Sequence, residues 1–368
     1  MRRIGILTTH RANNFGAVLQ AYSLVKACQE LGTCAEIIDW RCPFYDWQYH
    51  KAVRLTRNPF AVLRHFIWHV FKESKARALF NSFRERLSLS GPIFSRRKLA
   101  KTNSDYDCFI VGSDQVWNPL NSALRPEQFD RAFLLDFVAG KSKNAYAASI
   151  GVKSIEPENV RAEFIEAWKG FDKISMREYE GADYVAGLLG TRVETVLDPV
   201  LLHDKDWWSH LVSRADGESQ PHVFEYNVRG VSDLDAFASK IARDQNTFVV
   251  NPLIPSFSFG WNKQYRTMGP ADFVTEVANA CCVVTSSFHA AAFSVIFGKK
   301  LYLIRRKNSR DPNSRFSSLF RFAQLKEEVI AETDRHYIAL IDCAKANQES
   351  LSQARTSSIE FLRQICLG

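Results

Sequence analysis

Residues 3–39 read RIGILTTHRANNFGAVLQAYSLVKACQELGTCAEIID and contain three segments in a row. Apolar residues over 3–8 predict a short buried strand, helical spacing predicts a helix from about Phe15 to Gly32, and 34–39 predict a second strand. A strand, a helix and a strand in this order form a βαβ unit, whose strands are parallel. Because parallel sheets bind ligands at the carboxyl ends of their strands, functional residues are expected in the loops that follow the strands.

The same alternation continues along the chain. Further apolar strands are predicted at 106–111, 144–150, 173–176, 193–197, 222–226, 248–250, 282–285 and 301–304. Pro199 disfavours a helical Asp198 and marks a crossing point between two halves. We therefore predict an α/β protein with lobes 1–198 and 199–345, and a helix over 346–368 that is a candidate to cross back to the first lobe. Two α/β halves that face each other at their strand ends predict a cleft with the functional site between them.

Composition limits the class of protein. Of the 368 residues 46% are hydrophobic and 24% are charged, which is typical of a globular protein and excludes disorder, collagen and coiled coil. The segment closest to a membrane span, 279–297, is interrupted by polar residues, so no transmembrane helix is predicted. No Cys or His group has zinc-ligand spacing, so neither a metal nor a cofactor is predicted. These features indicate a cytoplasmic protein.

The net charge of +8 is concentrated in one segment. Between Lys51 and Lys101 there are 13 basic, two acidic and seven aromatic residues. Asn58 and Pro59 form a helix-start signal, and the apolar residues after them predict a basic amphipathic helix. Two interpretations are open for such a helix. It is part of an insert that packs its aromatic face on the protein, or it makes peripheral contact with anionic lipid at the inner face of the cell membrane. No nucleic-acid motif accompanies the charge, so nucleic acid is not predicted as a partner.

The stretch VVTSSFHAAAF, residues 283–293, ends a strand and starts a helix. His289 is therefore predicted in the first turn of that helix, where unpaired backbone N–H groups and the helix dipole attract anions. A bound polyanion favours the protonated imidazole, so His289 is a candidate acid that acts only when its anionic substrate is present. The alternative is a neutral histidine packed at the helix start.

Two charged residues follow predicted strands of the first half. Arg177 comes directly after 173–176 and offers a planar fork for a carboxylate or a phosphate. The alternative is a surface arginine paired with Glu178 or Glu180. Asp114 is a candidate to orient a sugar hydroxyl, or simply to cap the next helix.

Two further groups are weaker candidates. Asn14 and Gly16 open the first helix, where glycine lets a ligand approach the backbone, unless the loop is an ordinary turn. Arg305, Arg306 and Arg315 belong to a basic cluster after the last predicted strand, which is another anion contact or a solvated loop. No GxGxxG, Walker, nucleophile-elbow or HExxH motif occurs, which argues against nucleotide hydrolysis, serine hydrolysis and zinc proteolysis.

Six short motifs occur in order along the chain. They are NNFGAVLQ at 13–20, VGSDQVWNP at 111–119, YAASIG at 146–151, SMRE at 175–178, LDP at 197–199 and SSFH at 286–289. Together they resemble the polysaccharide pyruvyl transferase family, and the resemblance covers roughly residues 4–325. It implies two Rossmann-like lobes in a glycosyltransferase-B-like arrangement, with the basic helical segment, about 51–101, as an insert in the first lobe.

The resemblance also implies an activity, namely transfer of pyruvate from phosphoenolpyruvate to two hydroxyls of a sugar in surface-polysaccharide assembly, which makes a cyclic ketal. Carried over by motif, Arg177 binds the donor, and His289 binds it or is the general acid. Family members often have an arginine two places before this histidine, where this chain has Ser287. Ser287 is therefore a predicted donor contact, and Arg305 or Arg315 is a candidate for the missing charge.

The predicted contacts to the acceptor, a sugar that is free or lipid-linked, are Asn14, Gly16, Ser113, Asp114 and Gln115. Asp114 would orient the acceptor or act as a base. Two other interpretations stay open. One is a glycosyltransferase that uses a nucleotide sugar, since two such lobes suit both activities. The other is a non-catalytic sugar-binding protein, for which the serine in place of arginine is the best sequence argument.

Overall fold

The computed structural model describes residues 1–41, 74–121, 129–213, 220–228, 231–252, 262–307 and 314–368. Within these ranges the chain forms two α/β lobes, each built on a mainly parallel sheet. The start of the predicted amphipathic helix, at Asn58 and Pro59, lies outside the described residues.

The first lobe has a six-stranded parallel sheet in the order β2-β1-β3-β4-β5-β6. Its strands are β1 (Arg3–Leu7), β2 (Cys34–Ile37), β3 (Cys108–Val111), β4 (Ser142–Ala148), β5 (Lys173–Met176) and β6 (Glu194–Thr195). Its helices are α1 (Phe15–Glu30), α2 (74–84), α3 (Arg96–Lys101), α4 (Glu158–Trp168) and α5 (Tyr179–Leu189). The predicted βαβ start and all predicted strands of this half are confirmed, with boundaries shifted by a few residues.

The second lobe has a seven-stranded sheet in the order β12-β13-β11-β10-β7-β8-β9. Its strands are β7 (His222–Tyr226), β8 (Phe248–Pro252), β9 (Lys263–Arg266), β10 (Cys282–Thr285), β11 (Lys300–Arg306), β12 (Glu328–Glu332) and β13 (His336–Asp342). The helices after β6 are α6 (Lys205–Trp208), α7 (Ser232–Asp244), α8 (Pro270–Asn279), α9 (Phe288–Ile296), α10 (Ser314–Phe322) and α11 (Gln348–Leu367). In this sheet β13 runs antiparallel to both of its neighbours, β11 and β12, and the other pairs of described strands are parallel.

Helix α1 lies between the lobes and is buried over most of its length. Asn14 caps it, since the Asn14 side chain accepts a hydrogen bond from the Ala17 N–H over 3.2 Å. Phe15 stacks on Phe273 of α8, with ring centroids 4.8 Å apart, so the first turn of α1 packs directly on the second lobe. This contact brings the loop after β1 close to the start of α9.

The last helix, α11, packs on the first lobe. The Ser358 hydroxyl accepts a hydrogen bond from the Leu197 N–H over 3.0 Å, and Arg355 donates to the Leu201 carbonyl over 2.9 Å. The Phe361 ring also lies beside Tyr146 of β4. These contacts hold the polypeptide segment that joins the lobes.

The described part of the basic segment packs on the protein. Phe80 of α2 stacks on Phe15 with ring centroids 5.2 Å apart, and Phe83 lies edge-on to Tyr22. The buried Arg84 donates hydrogen bonds to the carbonyls of the loop after β1, including that of His10. The aromatic residues of α2 therefore pack on the protein, whereas Phe94 of the same segment is 66% exposed. The two interpretations of the predicted amphipathic helix concern residues outside the described ranges. No helix in the described ranges has both the length and the apolar character needed to span a bilayer.

Candidate active site

Three charged or titratable side chains from different parts of the chain meet at one oxygen atom. Arg177 follows β5, Asp198 precedes Pro199 in the segment that joins the lobes, and His289 lies in the first turn of α9. Arg177 Nη1 donates to Asp198 Oδ2 over 2.9 Å, and His289 Nε2 lies 3.6 Å from the same oxygen. An arginine of the first lobe and a histidine of the second lobe therefore converge on one carboxylate.

Arg177 is buried, with 2% of its side chain exposed, so the surface location of the alternative is wrong, whereas its pairing with Glu178 is present. Its Nε donates to Glu178 Oε1 over 3.1 Å, and its Nη1 lies 3.7 Å from Asp114 Oδ1. The Phe288 ring of the second lobe covers the guanidinium at 4.5 Å. Burial alone would lower the pKa of Arg177, but the three surrounding carboxylates raise it above its ordinary value.

Asp198 is the centre of this arrangement, and its side chain is fully buried. Burial alone would raise its pKa, but His289 and Arg177 hold the pKa of Asp198 below its ordinary value. Its other oxygen accepts the Val200 N–H over 3.1 Å. The sequence patterns predict Asp198 only as a crossing point between the two halves and predict no role for it in the site. The signal available was a lone carboxylate directly after an apolar strand.

The surroundings of His289 leave its ring little freedom. Ser287 caps α9 by accepting from the Ala290 N–H, and a Cβ at Gly16 of α1 would lie 1.9 Å from His289 Nδ1. His289 Nε2 and the hydroxyl of Ser286 are buried and make no hydrogen bond to any residue that the structure describes. In addition to its backbone N–H groups, the start of α9 therefore presents the Ser286 hydroxyl and His289 Nε2, which lies 3.6 Å from Asp198 Oδ2.

Several predicted ligand contacts have other partners in the structure. Ser113 is fully buried, and its hydroxyl donates to the Ala147 carbonyl over 2.7 Å, so it supports the site from behind. Asn14 is occupied as a helix cap, and Gly16 admits the His289 ring instead of a ligand. The geometry therefore does not support acceptor contacts for these three residues.

Two of the predicted donor contacts of the second lobe also have other partners in the structure. Ser287 acts as a helix cap, as described above. Arg305 is buried, forms an ion pair with Glu327 and lies against the rings of Phe316 and Tyr337, so its charge is already neutralised. Arg315 lines a cavity between the lobes. The geometry therefore favours Arg315 over Arg305 as a contact for an anion.

A cavity of about 430 Å³ is lined by residues of both lobes, including Glu178, the residue that follows Arg177, but not by Arg177, Asp198 or His289 themselves. The charged and amide side chains in its lining include Gln115, Lys153, Glu178, Lys307 and Arg315. Asp114, next to Gln115, has a left-handed backbone (φ 68°), and its Oδ2 accepts from the Thr9 hydroxyl over 3.1 Å. Asp114 and Gln115 therefore lie at the edge of a space that could hold a small substrate. In the described ranges no cluster of three His, Cys, Asp or Glu residues is suited to hold a metal ion.

Comparison with solved structures shows the fold. A putative UDP-N-acetylglucosamine 2-epimerase from Listeria monocytogenes is 11% identical with a TM-score of 0.52, over 96% of this chain and 91% of that chain. The UDP complex of MnaA from S. aureus is 12% identical with a TM-score of 0.51, over 100% of this chain and 90% of that chain. The two lobes therefore have the glycosyltransferase-B arrangement that the resemblance implied.

Comparison with sequence families is more specific. No curated protein sequence matches the chain. The family model for polysaccharide pyruvyl transferase matches residues 14–308, a range that includes Arg177, Asp198 and His289. Because the match spans most of the sequence, the chain belongs to the polysaccharide pyruvyl transferase family, a family of transferases.

Proposed function

We propose that this protein transfers pyruvate from phosphoenolpyruvate to two hydroxyls of a sugar and so forms a cyclic ketal. The observation that carries the proposal is the meeting of Arg177 and His289, from opposite lobes, within 3.6 Å of one Asp198 oxygen. Family membership supports the transferase activity and a sugar acceptor.

The charges of the site suit this donor. Phosphoenolpyruvate has a carboxylate and a phosphate, and both are suitable partners for a guanidinium and for a helix N-terminus. Arg177 donates from Nε to Glu178 and from Nη1 to Asp198, and neither of these bonds involves its Nη2. Nη2 and the start of α9 would hold the donor from its two ends. Lys307 and Arg315 supply further positive charge in the adjoining cavity.

The proposed reaction begins with the transfer of a proton to the donor. His289 donates a proton to the methylene carbon of the donor, and the carbon that carries the phosphate becomes electrophilic. One sugar hydroxyl attacks this carbon, phosphate leaves, and the second hydroxyl closes the ketal. Asp114 orients the attacking hydroxyl from the edge of the cavity.

A direct assay tests the proposal. The protein is incubated with phosphoenolpyruvate and a panel of free and lipid-linked sugars, and phosphate release and product mass are followed together. We expect phosphate release that depends on the sugar, and a product heavier by one pyruvyl ketal. A parallel panel of nucleotide sugars is the matched control. A hexose added from a nucleotide sugar would indicate a glycosyltransferase, and sugar binding without turnover in either panel would indicate a non-catalytic protein.

Substitution of Gly16 tests whether the position of His289 matters. In Gly16→Ala the new Cβ would lie 1.9 Å from His289 Nδ1, so the ring must move. Because a displacement of about 1 Å can cost about 10²-fold in rate, we expect kcat for pyruvyl transfer to fall about 10²-fold. Steady-state kinetics of the purified variant measures this.

Gly187→Ala is the matched control for this substitution. Gly187 is also a helical glycine, in α5, and a Cβ there would meet no atom within 4 Å. This variant should keep the wild-type kcat. Wild-type kcat in folded Gly16→Ala would show that the reaction does not depend on the orientation of His289.

A further inference from the structure

Glu178 is a buried carboxyl group at the boundary between the arginine site and the cavity. Only 5% of the residue is exposed, yet it lines the cavity of about 430 Å³ between the lobes. Its Oε1 accepts from Arg177 Nε over 3.1 Å. The same guanidinium binds Asp198, which lies beside His289, so Arg177 joins Glu178 to the histidine side of the site.

The fold does not use this carboxyl group as a helix cap. Glu178 occupies the N-cap position of α5, but its side chain makes no capping hydrogen bond. The Tyr179 N–H donates instead to the hydroxyl of Ser318, in α10 of the second lobe, over 3.1 Å. A carboxyl group at a helix start usually accepts from the backbone N–H groups there. Glu178 instead faces the cavity.

The environment of Glu178 makes it a group that binds protons readily. Burial raises the pKa of Glu178 above its ordinary value, although the charges of Arg177 and Arg315 oppose the shift. The charged groups that face it from the surrounding elements are Arg177, Arg315, Lys153, Lys307 and Glu180. A polyanion bound beside Glu178 would favour the protonated carboxyl further.

The proposed reaction needs two groups that exchange protons. Two acceptor hydroxyls each lose a proton, the methylene carbon gains one, and the departing phosphate gains the other. His289 alone cannot donate to the methylene carbon and accept from the attacking hydroxyl at the same time. We infer that Glu178 is the second acid–base group of this site, an inference that rests on the proposed function.

The steps then balance. His289 gives its proton to the methylene carbon, and the first hydroxyl oxygen bonds to the adjacent carbon while its proton passes to the Glu178 carboxylate. The carbon–oxygen bond to phosphate breaks with its electron pair on the phosphate oxygen, which takes the proton from Glu178. The second hydroxyl oxygen bonds to the same carbon, and its proton returns to His289. Both residues end in their starting states.

Glu178→Gln tests the role because glutamine can still accept from Arg177 but cannot carry a proton. We expect kcat for pyruvyl transfer to fall by at least about 10²-fold with little change in KM for phosphoenolpyruvate. Glu178→Asp, which keeps a carboxyl group, should recover part of the rate. Glu166→Gln is the matched control, since Glu166 is an exposed glutamate of α4 that pairs with Lys169, and it should keep the wild-type kcat.

A proton titration of the proteins without substrate gives a readout that does not depend on turnover. Wild type should take up one proton more than Glu178→Gln, at a higher pH than an ordinary glutamate. If wild type transfers pyruvate and Glu178→Gln keeps its kcat, the inference is wrong while the proposed function stands. If wild type transfers no pyruvate, the proposed function is wrong and the inference, which rests on it, is wrong as well. A Glu178 that titrates as an ordinary glutamate overturns the inference in either case.

Discussion

Asp198→Asn is expected to lower the free energy of unfolding by about 3 kcal/mol, because it removes one charge of a buried ion pair. The Asp198 side chain is fully buried, and that of Arg177 is 2% exposed. Asparagine can still accept the Val200 N–H, so the backbone at the start of the second lobe should persist. Denaturant unfolding of wild type and variant at pH 7 measures the difference. Pyruvyl transfer should also fall, by about 10²-fold, because Arg177 and His289 lose their common partner.

The stability lost in Asp198→Asn should depend on pH, and the direction of this dependence follows from the pKa of Asp198. The pKa of Asp198 is lower in the folded protein than its ordinary value, which is about 3.9. Its carboxylate therefore contributes stability that is fully present above that ordinary value and is lost as the pH falls through the folded value. The stability difference between wild type and Asp198→Asn should be constant from neutral pH to about 5 and shrink at lower pH. A difference that does not change with pH would show that the effect is one of packing.

Asp114→Asn is the matched control. Asp114 also lies beside Arg177 Nη1, but 3.7 Å away and with 23% of its side chain exposed. Asparagine tolerates the left-handed backbone at this position, so the substitution adds no strain. We expect Asp114→Asn to lower the free energy of unfolding by less than about 1 kcal/mol. Equal losses in the two variants would contradict the central position that we assign to Asp198.

Much of the fold could be predicted from local sequence patterns. The strands of both parallel cores are short apolar runs, most of them followed by a glycine, a serine or a charged residue, and the structure confirms them. Strands β9, β12 and β13 were not predicted. Lys263–Arg266 alternates partly buried and exposed polar residues at one edge of the sheet, and Val329 of β12 is 56% exposed. Edge strands such as β9 and β12 are defined by pairing with a neighbour, which a local pattern does not record, whereas β13 lies between β12 and β11 and this reason does not apply to it.

The site could be predicted only in part. Position after a strand or at a helix start identified Arg177, Asp114 and His289, because that rule depends on parallel-sheet topology alone. The rule does not say which side chain turns inward, so Asp198 received no role and Ser113 was given one. The contact of Gly16 with His289 depends on how α1 packs between the lobes, over a separation that sequence patterns do not cover.

His289→Gln is expected to lower kcat for pyruvyl transfer by about 10²- to 10⁴-fold, the usual contribution of a general acid. Glutamine is similar in size to histidine and can still form a hydrogen bond, but it cannot donate a proton to carbon. His289 Nε2 is available for this step, since it is buried and makes no hydrogen bond to a described residue. KM for phosphoenolpyruvate should change little. Initial rates over a range of donor concentrations measure both constants.

The division between kcat and KM separates the two roles that family resemblance leaves open for His289. Loss of kcat alone indicates the proton donor, whereas a raised KM with an unchanged kcat would mean that the residue only binds the donor. His203→Gln is the matched control, because His203 is also a buried histidine but stacks on Trp207 at 3.7 Å, away from Arg177. It should keep both constants. If His203→Gln loses as much kcat as His289→Gln, the loss comes from disturbed packing, and the assignment of His289 as the acid is wrong.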